Sequence, residues 1–214
     1  MSTNDSAMPI ELRDHWWWRP GWRPGRSFYT WHITFAEQLG VRELANSYAA
    51  LLARLPMFDP VPIRWLHLTM QGLGFTDEVR RADVEAIVQA AKQRLANLQA
   101  FTVTIGPPQM DPEGFPLPVR PVEPLSQLRA TVRQAIADVW GVDHVPEAAE
   151  GWWPHVSLAY SNGVGSSEPV AEAVAAQPMP TADIEIAAVS LIDLNRDNKA
   201  YEWTDVATVR LGGN

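Results

Sequence analysis

The sequence predicts a pseudo-duplicated α+β domain, and three observations carry that reading. Strand-like and helix-like stretches follow one another as β-α-β-α-β-β-α-β-α-β-β, an order that falls into two halves of similar pattern. Each half holds a long amphipathic helix and a strand bearing a histidine, one apolar residue and a hydroxyl residue. With 46% apolar and 20% charged residues over 214 positions, the chain has core enough for one compact or two-lobed unit. No repeat of about 20–50 residues is visible, which sets solenoids and propellers aside.

The elements follow from their residues in order. Residues 1–12 have no periodicity and are expected to fray. Arg13 to Arg26 alternates cations, Trp and Pro-Gly turns, so residues 1–26 read as an N-terminal extension and 27–214 as one domain. Ser27 to Phe35 is strand-like. Val41, Leu44, Tyr48, Leu51, Leu52 and Leu55 then recur at helical spacing until Pro56. Ile63 to Gln71 is a second strand, with Trp65, His67, Thr69 and Gln71 on one face and Leu66, Leu68 and Met70 on the other.

Gly72-Leu73-Gly74 is expected to end that strand, and Thr76 or Asp77 to cap a helix striped by Val84, Ile87, Val88, Ala91, Leu95 and Leu98. Phe101 to Ile105 is β-branched strand. Phe115 to Val122 is extended but broken by Pro116, Pro118 and Pro121, which predicts an edge strand. Leu125, Leu128, Val132, Ile136, Val139 and Trp140 mark the next helix, with Gly141 as its left-handed terminator. His155 to Ser161 is a short strand, and a short helix runs near Glu168 to Ala176. Ile184 to Leu194 and Tyr201 to Leu211 close the chain as a hairpin around Asn195-Arg196-Asp197-Asn198.

Composition removes several classes of function. Seventeen Lys and Arg against 25 Asp and Glu give a net charge of −8, which disfavours a broad grip on long nucleic acid through many phosphates. A small anion in a local positive pocket stays compatible with it. The absence of cysteine excludes disulfides, thiolate zinc sites and cysteine nucleophiles. Met1 to Ile10 lacks the pattern of a signal peptide and no stretch matches a membrane helix, so a cytoplasmic protein with no membrane partner is expected.

Three of the five histidines are followed two positions later by a hydroxyl: His32-Ile33-Thr34, His67-Leu68-Thr69 and His155-Val156-Ser157. On a strand, positions i and i+2 share a face and lie about 7 Å apart. An imidazole there can move a proton while the hydroxyl donates to an oxyanion. A single such pair is ordinary strand composition. Two of them, 88 residues apart and each preceded by Trp-rich chain (Trp65; Trp152-Trp153), define a possible reaction centre. Displacement at phosphorus needs one group to take a proton from the attacking oxygen and another to protonate the departing one, and two imidazoles suit both tasks.

In His67-Leu68-Thr69 and Pro154-His155-Val156-Ser157-Leu158-Ala159 the chain resembles the 2H phosphoesterase superfamily, which includes bacterial 2′-5′ RNA ligases and RNA 2′,3′-cyclic phosphodiesterases. The resemblance covers nearly the whole chain after the N-terminal extension. It implies a bilobal, pseudo-twofold fold with antiparallel sheets lining a central groove and helices packed outside. It implies His67 and His155 as catalytic acid and base, and Thr69 and Ser157 as donors to phosphate oxygens, with no metal and no cofactor. The symmetry of the triplets leaves open which histidine is the base, although the resemblance puts His155 in that role and His67 as the acid. The substrate so implied is a small cyclic nucleotide or an RNA 2′,3′-cyclic phosphate end. Ligation through a 2′-5′ linkage and a non-catalytic nucleotide or RNA-end binding module are the alternatives.

The third triplet and the Arg/Trp segment lie outside that minimal pattern. His32 and Thr34 either line the groove or pack beneath the following helix. Arg19, Arg23 and Arg26 with Trp16, Trp18 and Trp22 are candidates to cap the groove, stack on a base and neutralise phosphate. Gly72-Leu73-Gly74 is no dinucleotide fingerprint, and His15, Asp143 and His144 have no metal-site spacing, which marks them as exposed loop residues.

Overall fold

A computed structural model describes residues 10–176 and 178–212. Expectations for residues 1–9 lie outside the described residues. Two antiparallel sheets form the frame. The first is ordered β11-β10-β2-β4, from β2 (Phe28–Thr34), β4 (His67–Phe75), β10 (Ala188–Asn195) and β11 (Glu202–Arg210). The second is ordered β3-β7-β6-β5-β9, from β3 (Phe58–Pro60), β5 (Phe101–Ile105), β6 (Gly114–Arg120), β7 (His155–Ser161) and β9 (Ala182–Ile186). Four helices cover them: α1 (Leu39–Leu52), α2 (Arg81–Leu95), α3 (Val122–Trp140) and α4 (Glu168–Ala175). Among the described residues, no helix is long and apolar enough to cross a membrane.

The pseudo-twofold is visible in the strand order. In each sheet the strand that precedes a long helix, β2 or β6, pairs with the strand that carries a His-apolar-hydroxyl triplet, β4 or β7. The helices exchange lobes: α1 leaves the first sheet and packs against β9 of the second, while α3 leaves the second and packs against α2 and β4. This exchange joins the two lobes through a common core. The apolar stripes predicted from spacing face that core, with Tyr48 and Leu51 of α1, Ile87 and Leu95 of α2, and Leu125, Leu128 and Val132 of α3 all buried.

The structure departs from the sequence reading at several places. β4 runs through Gly72 and Gly74 to Phe75 rather than ending at a turn. The hydrogen at Gly72 in place of a side chain lets the Glu147 carboxylate reach the Gly72 N–H (3.1 Å), where a Cβ would lie 2.4 Å from Glu147 Oε1. α2 begins at Arg81, and neither Thr76 nor Asp77 caps it. Thr76 instead bonds Ser27, and Asp77 takes two arginines. Gly141 ends α3 with φ +87° but ψ 153°, outside the left-handed helical well.

β6 is an interior strand, paired to both β7 and β5. Its prolines fit because Pro116 and Pro118 turn toward residues 106–109, where their carbonyls accept from Gln109 (3.0 Å) and Gly106 (2.8 Å) and no ladder N–H is required of them. Val119, the next residue along, donates to Pro154 on the other side (3.0 Å). Finally, Ile184 to Leu194 is two strands: β9 pairs with β5 in the second sheet, and after Ala187 the chain enters the first sheet as β10 between β2 and β11. The N-terminal segment also takes part in the fold. β1 (Glu11–Leu12) pairs with β8 (Gly165–Ser166), and Leu12 is fully buried.

Candidate active site

Alternation along β4 buries Leu68 and Met70 in the core and turns His67 and Thr69 to the opposite face. β7 does the same, burying Val156 and Leu158 and turning out His155 and Ser157. All four border one cavity of about 540 Å³ between the sheets, within the roughly 300–1,000 Å³ of small-molecule sites. The two triplets therefore share a groove.

The two imidazoles are oriented alike. His67 Nδ1 lies 2.8 Å from the carbonyl of Trp65, and His155 Nδ1 lies 3.2 Å from the carbonyl of Trp153. A carbonyl only accepts, so each Nδ1 carries the hydrogen and each Nε2 is left with a lone pair for proton transfer. Burial holds His67 down at about 4, with the nearby His155 adding to the effect and the Trp65 bond opposing it. Burial also lowers His155, against the Trp153 bond.

Their surroundings differ, and the difference traces to the third triplet. His32 stands opposite Thr69 on β2, next to a bulge in the β2–β4 ladder; its ring stacks on His67 at 4.5 Å and 5°. Its Nε2 lies 3.3 Å from Thr69 Oγ1. If Nε2 carries the hydrogen, the Thr69 hydroxyl accepts from His32 and keeps its own proton for a ligand oxygen. At the equivalent place in the second lobe Pro116 faces Ser157. Trp153 stacks on His155 at 4.1 Å instead, leaving it more open than His67. Trp203, from the far edge strand of the first sheet, comes within 5.5 Å of His67 ring to ring, which requires that sheet to curl around the groove.

The other sequence-selected residues divide. His32, Arg19 and Trp22 line the cavity. Thr34, across from His67 at the end of β2, lies outside it. Arg23 and Arg26 also lie outside, because Asp77 binds both and Arg26 further pairs with Glu78 and covers the Phe75 ring at 3.6 Å.

Two groove residues escaped the sequence. His15 is buried, not exposed: its ring stacks on Tyr160 at 4.0 Å and its Nε2 lies 2.8 Å from the Tyr201 hydroxyl. Burial, with Arg19 and Arg196 nearby, lowers it to about 3, so it is neutral and its 3.3 Å approach to Glu113 is no ion pair at neutral pH. Arg196, read as a turn residue, is 4% exposed and lines the groove. Nothing local marks either residue; only the return of the β10–β11 loop onto the N-terminal segment brings them together.

A brace holds the approach to β7. Arg129 of α3 donates to the carbonyls of Met70 (2.8 Å), Ala149 (2.8 Å) and Ala148 (2.9 Å), and Trp152 Nε1 donates to Thr69 O (2.9 Å). Arg129→Met strips these carbonyls of a buried charged donor. It is expected to lower unfolding free energy by about 2–4 kcal/mol, read as a shift in urea midpoint at constant slope.

A two-lobed α+β frame with a histidine and a hydroxyl from each lobe facing one groove defines a paired-histidine phosphoesterase architecture. A family model described as the 2′-5′ RNA ligase superfamily matches residues 52–198. The chain belongs to that superfamily. Solved structures share its fold. TT0787 of Thermus thermophilus aligns at 20% identity and TM-score 0.64, over 88% of this chain and 98% of the other. E. coli LigT in apo form aligns at 17% and 0.63, over 88% and 99%. The MHV ns2 PDE domain aligns at 11% and 0.52, over 79% and 99%. No curated protein matches the sequence.

Proposed function

We propose that the protein is a phosphodiesterase that opens 2′,3′-cyclic phosphates, on small cyclic nucleotides or at RNA ends, with His67 and His155 as the acid–base pair. The observation that carries this reading is the shared cavity into which both Nδ1-anchored imidazoles present a free Nε2, each beside a hydroxyl two residues on. The phosphate sits between them. One Nε2 removes a proton from water as its oxygen attacks phosphorus; the other protonates the departing ribose oxygen, and Thr69 and Ser157 donate to the nonbridging oxygens. The acid enters the step as the imidazolium, with a proton from solvent on its Nε2, and the base ends it holding the proton taken from water, so the protons balance. Support for a nucleotide in this groove also comes from E. coli LigT, whose structures include complexes with phosphate and with 3′-AMP.

The structure favours a direction. His67 lies deeper, sandwiched by His32 and held at about 4, so it starts neutral and suits the base; the more open His155 takes up the proton more readily and suits the acid. This reverses the order implied by resemblance. Ligation would use the same groups with a second strand in place of water. A net charge of −8 favours a short substrate over a long duplex or two long strands.

The test is incubation with a panel of 2′,3′-cyclic nucleotides and cyclic-ended RNA in EDTA, with product identity read by chromatography. Opening to a single monophosphate isomer at undiminished rate is expected. Thr69→Val, which keeps shape and removes the donor, is expected to lower turnover about 10²-fold. Tight binding of unaltered cyclic nucleotide with no product would replace the enzyme by a binding module.

A further inference from the structure

We infer that Arg196, with Arg19 beside it, forms a second anion subsite in the groove, so that the favoured substrate carries a phosphate on the 5′ side of the nucleoside whose cyclic phosphate is opened. The inference rests on the phosphodiesterase reading for the position of the first phosphate, and on independent geometry for the second.

Arg196 is nine-tenths buried, yet its guanidinium is almost unused. Nη2 donates to the His15 carbonyl at 3.2 Å, while Nε and Nη1 have no partner. No carboxylate pairs with it among the described residues: Glu113, the nearby acid, is bound by Arg19 at 2.7 Å, and Asp197 accepts from the backbone of Gly25. Arg19 Nε is likewise without a partner. A buried cation with free donors is costly unless something negative completes it.

Aromatic rings hold this cation in place. Its Cζ lies 5.6 Å from the Trp16 ring, 5.5 Å from Trp22 and 5.3 Å from Tyr201, distances at which ring faces attract a guanidinium without consuming its N–H groups. The N–H groups stay unpaired, and a guanidinium matches the oxygens of a phosphate. Tyr201 also fixes the distance to the chemistry, since its ring centre is 5.6 Å from that of His67. Arg196 thus stands across one aromatic ring from His67, where it can meet a second phosphate of the same nucleotide. Neighbouring His15 is kept neutral and does not compete for the anion.

Two measurements test this. By titration calorimetry, adenosine 3′,5′-bisphosphate is expected to bind about 10–100-fold more tightly than adenosine 3′-phosphate, the range of a charge-assisted contact. In Arg196→Met the ratio is expected to fall close to one. In turnover, adenosine 2′,3′-cyclic phosphate, its 5′-phosphorylated form and the dinucleotide ending in a cyclic phosphate are compared by kcat/KM. Preference for the 5′-phosphorylated mononucleotide points to a terminal phosphate as the occupant, and preference for the dinucleotide to the internucleotide phosphate. Equal wild-type affinities for the two adenosine phosphates, or a preference that survives Arg196→Met, overturn the subsite. The wild-type ratio decides on its own if the variant does not fold. Bisphosphate preference without turnover of any cyclic substrate removes the phosphodiesterase reading and keeps the subsite; turnover with no preference does the reverse.

Discussion

His67→Ala and His155→Ala are each expected to lower turnover of a 2′,3′-cyclic nucleotide by about 10²–10⁴-fold, while circular dichroism and the urea midpoint still report a folded protein. Each substitution removes one of the two free Nε2 atoms facing the groove and leaves the strand ladder intact. The losses should not add in the double variant, because proton removal and proton delivery belong to one displacement. A second substrate separates the roles. With a p-nitrophenyl nucleoside phosphodiester the leaving group departs without a proton, so the variant lacking the acid recovers most of its activity and the variant lacking the base does not. The depth of His67 assigns that recovery to His155→Ala. Near-wild-type rates in either variant on the cyclic substrate would sink the pair.

Acid should weaken this protein well before its carboxylates protonate. In the fold His67 is held at about 4 and His15 at about 3, whereas in the unfolded chain both return to 6.5. Between those values the unfolded state binds more protons, so stability rises with pH: the contribution is complete above pH 6.5 and is lost as pH falls toward 4 for His67 and toward 3 for His15. For His67 alone the span corresponds to about 3 kcal/mol. Asp77, Asp83 and Asp138 are also lowered in the fold, by hydrogen bonds from Arg26, from Trp140 and Arg80, and from Arg94 respectively, but they act only below their ordinary value of 3.8. Urea midpoints measured from about pH 7.5 to 4.5 should therefore fall steadily, and His15→Phe should flatten the slope. The same depression shapes catalysis. With His67 and His155 both neutral at about pH 7, the acid must gain a proton, so kcat/KM should peak below about 6.5 and decline as pH rises. A maximum above about pH 7.5 would contradict the neutral resting pair.

Legibility in the sequence followed the range of the interaction concerned. The triplets were readable because strand alternation is a property of neighbouring residues: once His67 and Thr69 face away from Leu68 and Met70, their shared face is fixed whatever packs on it. The helical stripes were readable for the same reason. The prolines of β6 misled because their missing N–H groups suggested an edge, whereas the side they face, residues 106–109, asks only for carbonyls. The break at Ala187 was hidden because β9 and β10 follow one another with a single residue and no turn signal between them, and only their partners in different sheets distinguish them.

Charge and burial were the least readable. Arg23, Arg26 and Arg19 look equivalent in a segment of alternating Arg and Trp, yet Asp77 draws the first two out of the groove and Glu113 keeps the third at its rim. His15 and Arg196 are 181 residues apart, and their contact makes a flexible-looking N-terminal stretch into a wall of the site.

The amino-acid sequence by itself determined the two matched strands, the helices that cover them and the four side chains proposed to carry the reaction, because those depend on spacing along the chain. The tertiary structure alone decided which cations line the groove and how far each imidazole is drawn from water. Desolvation and ion pairing are set by atoms that meet in space, and no local pattern records which distant groups will meet.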